Sequence, residues 1–550
     1  MFNGNTLRNA IISGANNIYK FRSSVDELNV FPVPDGDTGT NMSMSISNAA
    51  RALEKVNDLP AGEVAEVAAA ALLRGARGNS GVITSLLFRG LAKGFKDQTE
   101  VTGENLVKAM QMGVEAAYKA VMKPTEGTML TVARVASEKA TEAFKNNSSL
   151  NALEVFDIIL NGAKEALKTT PELLPVLKKA GVVDAGGAGL IKIFEGMSIV
   201  FNGGEIVKDE EIEKASSKTT GLNIEDDYTA EITFTYCTEF IIERKEDKGE
   251  NDANELKSFL GGIGDSLVVV EDDDIIKIHV HTDHPGKAME KGLEYGMLIN
   301  LKVENMRKQY ENAKPATNEN RTEVFTPAAP SKHYGFVSVS VGEGIEALFK
   351  ELGADIIVSG GQTMNPSTDD ILKAIEATPS EIVFVLPNNK NIIMAAEQAV
   401  PLSTKKVVVL PTRTIPMGVS AMLSFDPDSD EEENIINMKN ACERVSTGQI
   451  TFAARNSNYD GHKIKKDDLL AIENGKVVFT EKDLEACTVK LCKQMCKKKV
   501  SFLTLFYGEN VDDATAERIK SAVEEKLENK VEITLINGGQ PVYYFYISAE

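Results

Sequence analysis

Cysteine is scarce in this 550-residue chain: five residues, an odd number. So few thiols exclude a disulfide framework and fit a reducing compartment. Long apolar runs are missing as well. The longest, such as Val67 to Leu73, fall far short of the roughly 20 residues that a spanning helix needs. The chain is therefore not expected to be an integral membrane protein. Its start, MFNGNTLRNAIISGANNIYK, has no basic stretch followed by an apolar one, so no secretory leader is expected and the location expected is the cytoplasm. Positive charge is in deficit, with 60 Lys+Arg against 81 Asp+Glu and a net charge of −21. Nucleic acid needs a basic surface to neutralise its phosphates, so no such partner is expected. An anionic membrane surface is disfavoured for the same reason. There is no repeat of 20–50 residues, no Walker A sequence, and no histidine before His279.

What is present is enough apolar material, 42% of the residues, for several cores. At ~150 residues per domain the length suggests about three or four. Residues 1–205 read as all helix. Leu7, Ile11, Ala15 and Ile18 keep helical spacing after Asn5 or Thr6 as the N-cap, and Met42, Ile46, Ala49, Ala50 and Leu53 repeat the pattern. A polar, acidic linker is expected over 206–228. Alternating segments (TAEITFTYCTEFIIE, SLVVV, IIKIHVHT) then predict a small α+β domain over 229–311. A Pro-, Asn- and Thr-rich linker follows over 312–332. Residues 333–550 alternate apolar strands with amphipathic helices, which predicts an α/β domain with a parallel sheet. DPDSDEEE (426–433) reads as a solvated loop.

The sharpest motif is NVFPVPDGDTGTNM, residues 29–42. Asp35 and Asp37, one glycine apart, can converge on a hard cation, which takes oxygen ligands. Thr38, Gly39, Thr40 and Asn41 then present hydroxyls, an amide and backbone N–H groups at a helix start, a natural phosphate site. The competing reading is an Asx-rich turn that only caps a helix. Three more glycine-containing loops open helices: GARGNSG with Asn79, Ser80 and Gly81, GTML with Thr128 and Met129, and DAGGAG with Asp184 and Gly186, preceded by Lys178. Each alone reads as a tight turn. Together they could line one end of a helical bundle.

DGDTGTNM, GARGNSG, GTML and DAGGAGL, in this order, resemble the nucleotide-binding domain of the dihydroxyacetone-kinase L-subunit family. The fuller LNVFPVPDGDTGTNM with GARGNSGVI and a long C-terminal extension resembles the catalytic subunit of bacterial fatty-acid kinase, over the whole chain. The resemblance implies a barrel of helices that holds ATP and Mg²⁺. By match, Asp35 and Asp37 would be metal ligands and the catalytic pair. Thr38 to Asn41 would be phosphate contacts. Asn79, Ser80, Gly81, Thr128 and Met129, with Asp184 and Gly186, would lie around the nucleotide, and Lys178 would take the place of a basic residue. The L-subunits carry a third aspartate just upstream of the pair. Here that region reads Asn29-Val30, with Asn29 as the weaker substitute.

Three of the five histidines cluster at His279, His281 and His284. In IIKIHVHT, strand alternation puts Ile276, Ile278 and Val280 on one face and Lys277, His279 and His281 on the other. With Cys237 and Glu239 from an earlier strand, these imidazoles could hold zinc. The alternative is two solvated histidines and a buried thiol. Cys487, Cys492 and Cys496 fit one helix face as structural thiols.

Gly360 to Thr368 forms a turn after a strand, where α/β sheets bind ligands. It resembles a binding loop of DegV-type fatty-acid-binding proteins, as do the segments at Arg413 and at 538–542. Those proteins carry a His where this chain has Gly539 or Gln540, and a Ser-rich loop where it has Asn388 and Asn389. The third domain is thus expected to be DegV-like but turned to contacting a partner. The function implied is ATP-dependent phosphorylation of a fatty acid presented by a separate DegV-type carrier, with a homodimer left open. Two other classes compete: a kinase of a small, glycerone-like hydroxylated substrate, and a non-catalytic, zinc- and lipid-responsive scaffold.

Overall fold

The computed structural model describes residues 1–29, 36–121, 123–208, 236–244, 253–271, 275–305, 326–361, 364–454, 456–459, 462–497, 500–528 and 530–550. The chain divides into two compact units, Met1–Glu213 with Phe325–Glu550, and Lys214–Val324.

The first unit begins with an all-helical region, as the periodicity predicts. Its described helices are α1 (Gly4–Asp26), α2 (Thr38–Glu54), α3 (Ala61–Gly75), α4 (Gly78–Gly94), α5 (Gly103–Ala120), α6 (Met129–Asn146), α7 (Ala152–Leu173), α8 (Pro175–Ala180) and α9 (Ala185–Phe201). The N-cap of α1 is Asn3, not Asn5 or Thr6. Strand β1 (Phe2–Asn3) pairs antiparallel with β2 (Glu100–Val101), which keeps the chain extended through Asn3. The Asn3 carboxamide oxygen then accepts the Thr6 N–H at 2.9 Å. Leu7, Ile11, Ala15 and Ile18 are buried, the face read from the sequence. Helices α1 and α9 approach closely because both carry glycine at the contact. A Cβ on Gly196 would lie 2.5 Å from the Ser13 carbonyl, and the Ser13 hydroxyl donates to the Gly196 carbonyl at 2.6 Å.

The C-terminal part of this unit holds two sheets. Strands β7 (Lys332–Ser340), β8 (Ile356–Ser359), β9 (Ser380–Leu386) and β10 (Lys406–Val409) form a parallel sheet in the order β10-β9-β7-β8. Six strands, β11 (Ser446–Phe452), β14 (Leu469–Glu473), β15 (Lys476–Glu481), β16 (Phe502–Tyr507), β17 (Glu532–Asn537) and β18 (Tyr543–Ala549), form a mixed sheet, with the hairpin β12 (Ser457–Tyr459) and β13 (His462–Ile464) beside it in sequence. One apolar core runs from the helices into the parallel sheet: Leu72, Val82 and Leu86 belong to the same buried cluster as Val337, Val358, Ile371 and Ala396. The two regions expected to be separate domains are thus joined by shared burial, the main source of cohesion between packed elements.

The second unit is a four-stranded antiparallel sheet, β3 (Tyr236–Arg244), β4 (Gly264–Glu271), β5 (Ile275–Thr282) and β6 (Gly296–Asn305), in the order β4-β5-β3-β6, with helices Ala253–Ile263 and Pro285–Leu293. Its core is Phe240, Ile242, Leu256, Leu260, Ile276, Ile278, Val280 and Ala288, so the alternation in IIKIHVHT holds. No helix among the described residues is long and apolar enough to cross a membrane.

Candidate active site

The sites predicted around four loops converge on one cavity of about 360 Å³. Helices α2, α4, α6 and α9 all start at it. Asp37, Thr38 and Asn41 come from the first, Asn79 and Ser80 from the second, Thr128 and Met129 from the third, and Asp184 and Gly186 from the fourth. Four helix N-termini therefore bring their partial positive charges to one polar space, which favours an anion. Asp35 lies outside the described residues.

Local chemistry fixes each loop. Asp37 stands at the N-cap position of α2 without capping it by its side chain, and it lines the cavity. The Thr38 hydroxyl donates to the Asn29 carboxamide oxygen at 2.7 Å, and Asn29 also lines the cavity. Gly78 has φ +58°, and a Cβ there would meet the Asn41 carboxamide at 2.8 Å, so only glycine suits the entry to α4. In the GTML loop, the Gly127 N–H donates to the Thr131 hydroxyl at 2.8 Å and that hydroxyl donates to Glu126 at 2.7 Å. Arg134 closes the set by pairing with Glu126 at 2.8 Å. The Thr131 and Arg134 hydrogen bonds hold the Glu126 carboxyl below its ordinary value.

Asp184 caps α9 by accepting the Gly187 N–H at 2.7 Å. Burial pushes its carboxyl up to about 6, against the opposing hydrogen bonds from Gly187 and Met129. It ties the starts of α9 and α6 together at the cavity wall.

Four predicted residues are placed otherwise. Gly39 and Thr40 do not line the cavity. Their N–H groups donate to Asp26 Oδ1 at 2.6 and 3.2 Å, and the Thr40 hydroxyl donates to Asp26 Oδ2 at 2.7 Å. An internal carboxylate thus takes the donors read as phosphate contacts. Burial raises the Asp26 carboxyl above its ordinary value, with these hydrogen bonds and Arg22 opposing. Lys178 is exposed on α8 and is absent from the cavity lining; Gly181, at φ +69°, ends that helix and the chain then enters the cavity wall at Asp184. Gly81 is a packing residue: a Cβ there would lie 2.3 Å from the Ser45 hydroxyl.

The lining also holds Lys390 and Asn391, on the turn after β9, and Asn365 reaches the same place. Asn365 is 1% exposed, and its side-chain amide donates to Asp37 Oδ2 at 2.6 Å. Its backbone carbonyl accepts from Arg77 Nη1 at 2.6 Å, and Arg77 lies 3.4 Å from Asp370. A single antiparallel bridge joins Arg77 and Ser367. Asn365 and Ser367, in the turn singled out as a ligand loop, thus meet the helical site. Contacts across some 300 residues leave no local trace in sequence. The one available signal was the position of Lys390 just beyond the carboxyl end of a parallel strand.

Three oxygen atoms at this junction are buried with no hydrogen-bond partner among the described residues, Asn79 Oδ1, Asn365 Oδ1 and Thr368 Oγ1. Together with the Asp37 carboxylate, the Asn79 oxygen makes a donor set suited to a hard cation.

At the carboxyl ends of β7 and β9 the residual space is about 10 Å³, bounded by Ser340, Gly360, Asn388, Asn389 and Tyr546. That is room for no more than a water. Gln540, one of the two residues read against the histidine of DegV proteins, is buried and donates to the Phe506 carbonyl at 2.9 Å. Asn388 donates to the Ser338 hydroxyl and the Val339 carbonyl, both at 3.0 Å.

In the second unit, the β3–β5 register sets Cys237 opposite His281 and Glu239 opposite His279; the side chains of these four residues lie outside what is described. Cys487 and Cys492 are buried on helix Leu484–Met495, with Cys496 as its C-cap. Burial pushes the Cys487 thiol up to about 12 and raises the other two, which suits Cys487 and Cys492 as packing groups, while Cys496 is partly exposed.

Comparison with known proteins bears on the whole chain. Residues 32–198 match the DAK2 domain, 233–313 the FakA-like middle domain of fatty acid kinase, and 335–550 the FakA-like C-terminal domain of fatty acid kinase. The chain is 41% identical to Protein YloV of Bacillus subtilis (strain 168), covering 100% of this chain and 99% of that one. It is 40% identical to an uncharacterized protein of Staphylococcus aureus (strain USA300), with the same coverage. Among solved structures, a fatty-acid-binding DegV family protein from Thermus thermophilus matches 40% of this chain and 99% of its own, at 12% identity and TM-score 0.31. The dihydroxyacetone kinase from C. freundii, in complex with AMP-PNP and Mg²⁺, matches 35% of this chain and 33% of its own, at 18% identity and TM-score 0.28. Structural likenesses this remote say nothing about the site.

Proposed function

The chain belongs to the FakA-like fatty acid kinase family, and from that premise we propose that it transfers the γ-phosphoryl group of ATP to a fatty acid held by a separate DegV-type carrier, giving an acyl phosphate. The observation that carries this reading is the convergence of four helix N-termini, Asp37 and Asp184 on one cavity. A space of that kind suits a polyphosphate and a divalent cation far better than an acyl chain.

The cation fits the residues present. Asp37, with Asp35 beside it in sequence, would hold Mg²⁺, and the Asn79 carboxamide oxygen is a further ligand of the right type. When bound, Mg²⁺ offsets negative charge on the β- and γ-phosphates. The chain's own part is positioning. The starts of α4, α6 and α9 cradle the phosphates, and Thr38, held by Asn29, fixes the turn that presents Asp37. A carboxylate is already ionised at neutral pH, so no general base is needed. Its oxygen forms the bond to the γ-phosphorus while the β–γ bridging bond breaks. The electron pair leaves on ADP.

The space at the carboxyl ends of β7 and β9, about 10 Å³, has no room for an acyl chain; a larger cavity of about 880 Å³ lies beside it at Asn389, Arg413 and Met417, so the separate carrier rests on the family reading and on the assay below. The test is ATP turnover by the full chain with fatty acid, with and without purified DegV-type carriers. Turnover that requires the carrier supports the reading; equal turnover with glycerone and no carrier overturns it.

In the second unit, a thiolate and two imidazoles on paired strands suit zinc. Cys237, His279 and His281 would hold about one ion per chain, fastening the sheet. Elemental analysis of untagged protein, with Cys237→Ser, His279→Ala and His281→Ala changed together, tests this. Equal zinc in both proteins, or none in either, rules the site out.

A further inference from the structure

The helical region brings two carboxylates to the cavity, Asp37 and Asp184, and among the described lining residues its share contains no cation. The predicted one, Lys178, stays outside. A transferring phosphoryl group carries charge that must be offset by fixed positive groups. The cation in the described lining is Lys390, supplied by the C-terminal sheet.

The turn that carries Lys390 is built with unusual care for an exposed residue. Asn388 takes φ +54°, a conformation asparagine tolerates better than most residues. Its N–H donates to the Thr412 hydroxyl at 3.0 Å, and its side chain bonds β7 at two points. Asn389 donates to the Gly361 carbonyl at 3.0 Å and accepts the Asn391 N–H at 2.9 Å. Both asparagines are buried while Lys390 between them and Asn391 is exposed. These hydrogen bonds, all made by the two residues just before Lys390, fix the backbone that presents it, although Asn388 Oδ1 itself is buried without a partner among the described residues. The Asn365–Asp37 and Arg77–Asn365 hydrogen bonds then hold this sheet end against the helical site.

We infer that Lys390 is a catalytic residue of the phosphoryl transfer, contributed by the C-terminal region, whose ammonium group contacts the γ-phosphate of bound ATP. The inference rests on the kinase reading above. It predicts a γ-phosphate-specific effect, which a residue of merely structural importance would not give.

The test uses the full-length chain, with Lys390→Met and Lys390→Arg, and two measurements. Calorimetry compares the affinity for Mg²⁺ with AMP-PNP against that for ADP. Steady-state turnover is measured with fatty acid and carrier. Wild type should bind AMP-PNP more tightly than ADP. Lys390→Met should lose most of that preference, keep its ADP affinity within about threefold, and lose ~10²-fold in kcat, the size seen for other electrostatic groups. Lys390→Arg, which keeps the charge, should recover part of both. Melting should not change, because the side chain is exposed. If wild type binds nucleotide and Lys390→Met keeps both the preference and kcat, the inference is wrong and the kinase reading stands. If wild type binds no nucleotide, both fall together.

Discussion

Two regions of this molecule present the same local feature, a glycine-containing turn that opens a helix, and put it to opposite uses. At the helical end, four such turns surround a cavity of about 360 Å³, and an acceptor oxygen on Asn79 is left without a partner. At the sheet end, Gly360 and Gly361 border a space of about 10 Å³, filled from within by Asn388 and Tyr546. The sheet end lacks nothing that the turn pattern demands. The space directly at the strand ends lacks room because the Asn388 and Tyr546 side chains bound it, even though Ser340 Oγ and Asn388 Oδ1 are buried there without a partner among the described residues; the larger cavity of this region, about 880 Å³, opens beside it at Arg413 and Met417. A turn motif specifies backbone geometry; whether a ligand can follow depends on which side chains arrive from elsewhere.

The largest effect should come from Asp37→Ala, which attacks the open side of the contrast. Asp37 caps no helix and packs in no core but accepts the buried Asn365 amide, so stability should fall by only the cost of one unpaired buried donor, about 1–3 kcal/mol, while carrier-dependent turnover falls by at least ~10²-fold. Near-normal turnover would place the metal-binding role elsewhere.

Asn365→Ala cuts the link between the two regions. The amide that sits on Asp37 Oδ2 orients that carboxylate, which makes Asn365 a positioning residue. Its loss should raise the Mg²⁺ concentration needed for half-maximal turnover about tenfold, a change typical for outer partners of metal ligands. A drop in kcat with an unchanged Mg²⁺ dependence would point to general loosening instead.

Asn388→Ala attacks the closed side. Removing two buried hydrogen bonds should cost about 1–3 kcal/mol, seen as a lower Tm, with kcat falling because the turn beneath Lys390 loosens. Unchanged stability would mean that the sheet end is not held by Asn388.

The smallest effect concerns pH. The Asp184 carboxyl is pushed from its ordinary 3.8 up to about 6, so the folded chain binds that proton more tightly than the unfolded one. Its stabilising contribution is complete below about pH 4 and is lost as pH rises through about 6. Asp184→Asn keeps an acceptor for Gly187 but cannot ionise. It should therefore gain on wild type between about pH 4 and 7, by no more than about 3 kcal/mol at ~1.4 kcal/mol per unit. A Tm difference that stays flat with pH would contradict the raised value.

Much of this was legible in the sequence. Helical spacing of Leu7, Ile11, Ala15 and Ile18 gave the buried face of α1, because burial on a helix repeats every 3.6 residues. Alternation in IIKIHVHT gave the buried set of β5 for the analogous reason in strands. The motifs at 35–42, 78–81, 127–131 and 184–189 located four loops, and the helix start that each one opens is a local property of its residues.

What the tertiary structure decided is which of those residues face the cavity and what joins them. Gly39 and Thr40 have the right chemistry for a phosphate, yet Asp26, 13 and 14 positions earlier, takes their donors. Lys178 has the right charge but is exposed on α8, outside the cavity lining. Lys390 and Asn365 reach the site only because helices α3 and α4 and the parallel sheet share one apolar core. Local composition specifies turns and buried faces. The partner of a buried polar atom is set by packing between segments hundreds of residues apart, and no short-range pattern encodes it.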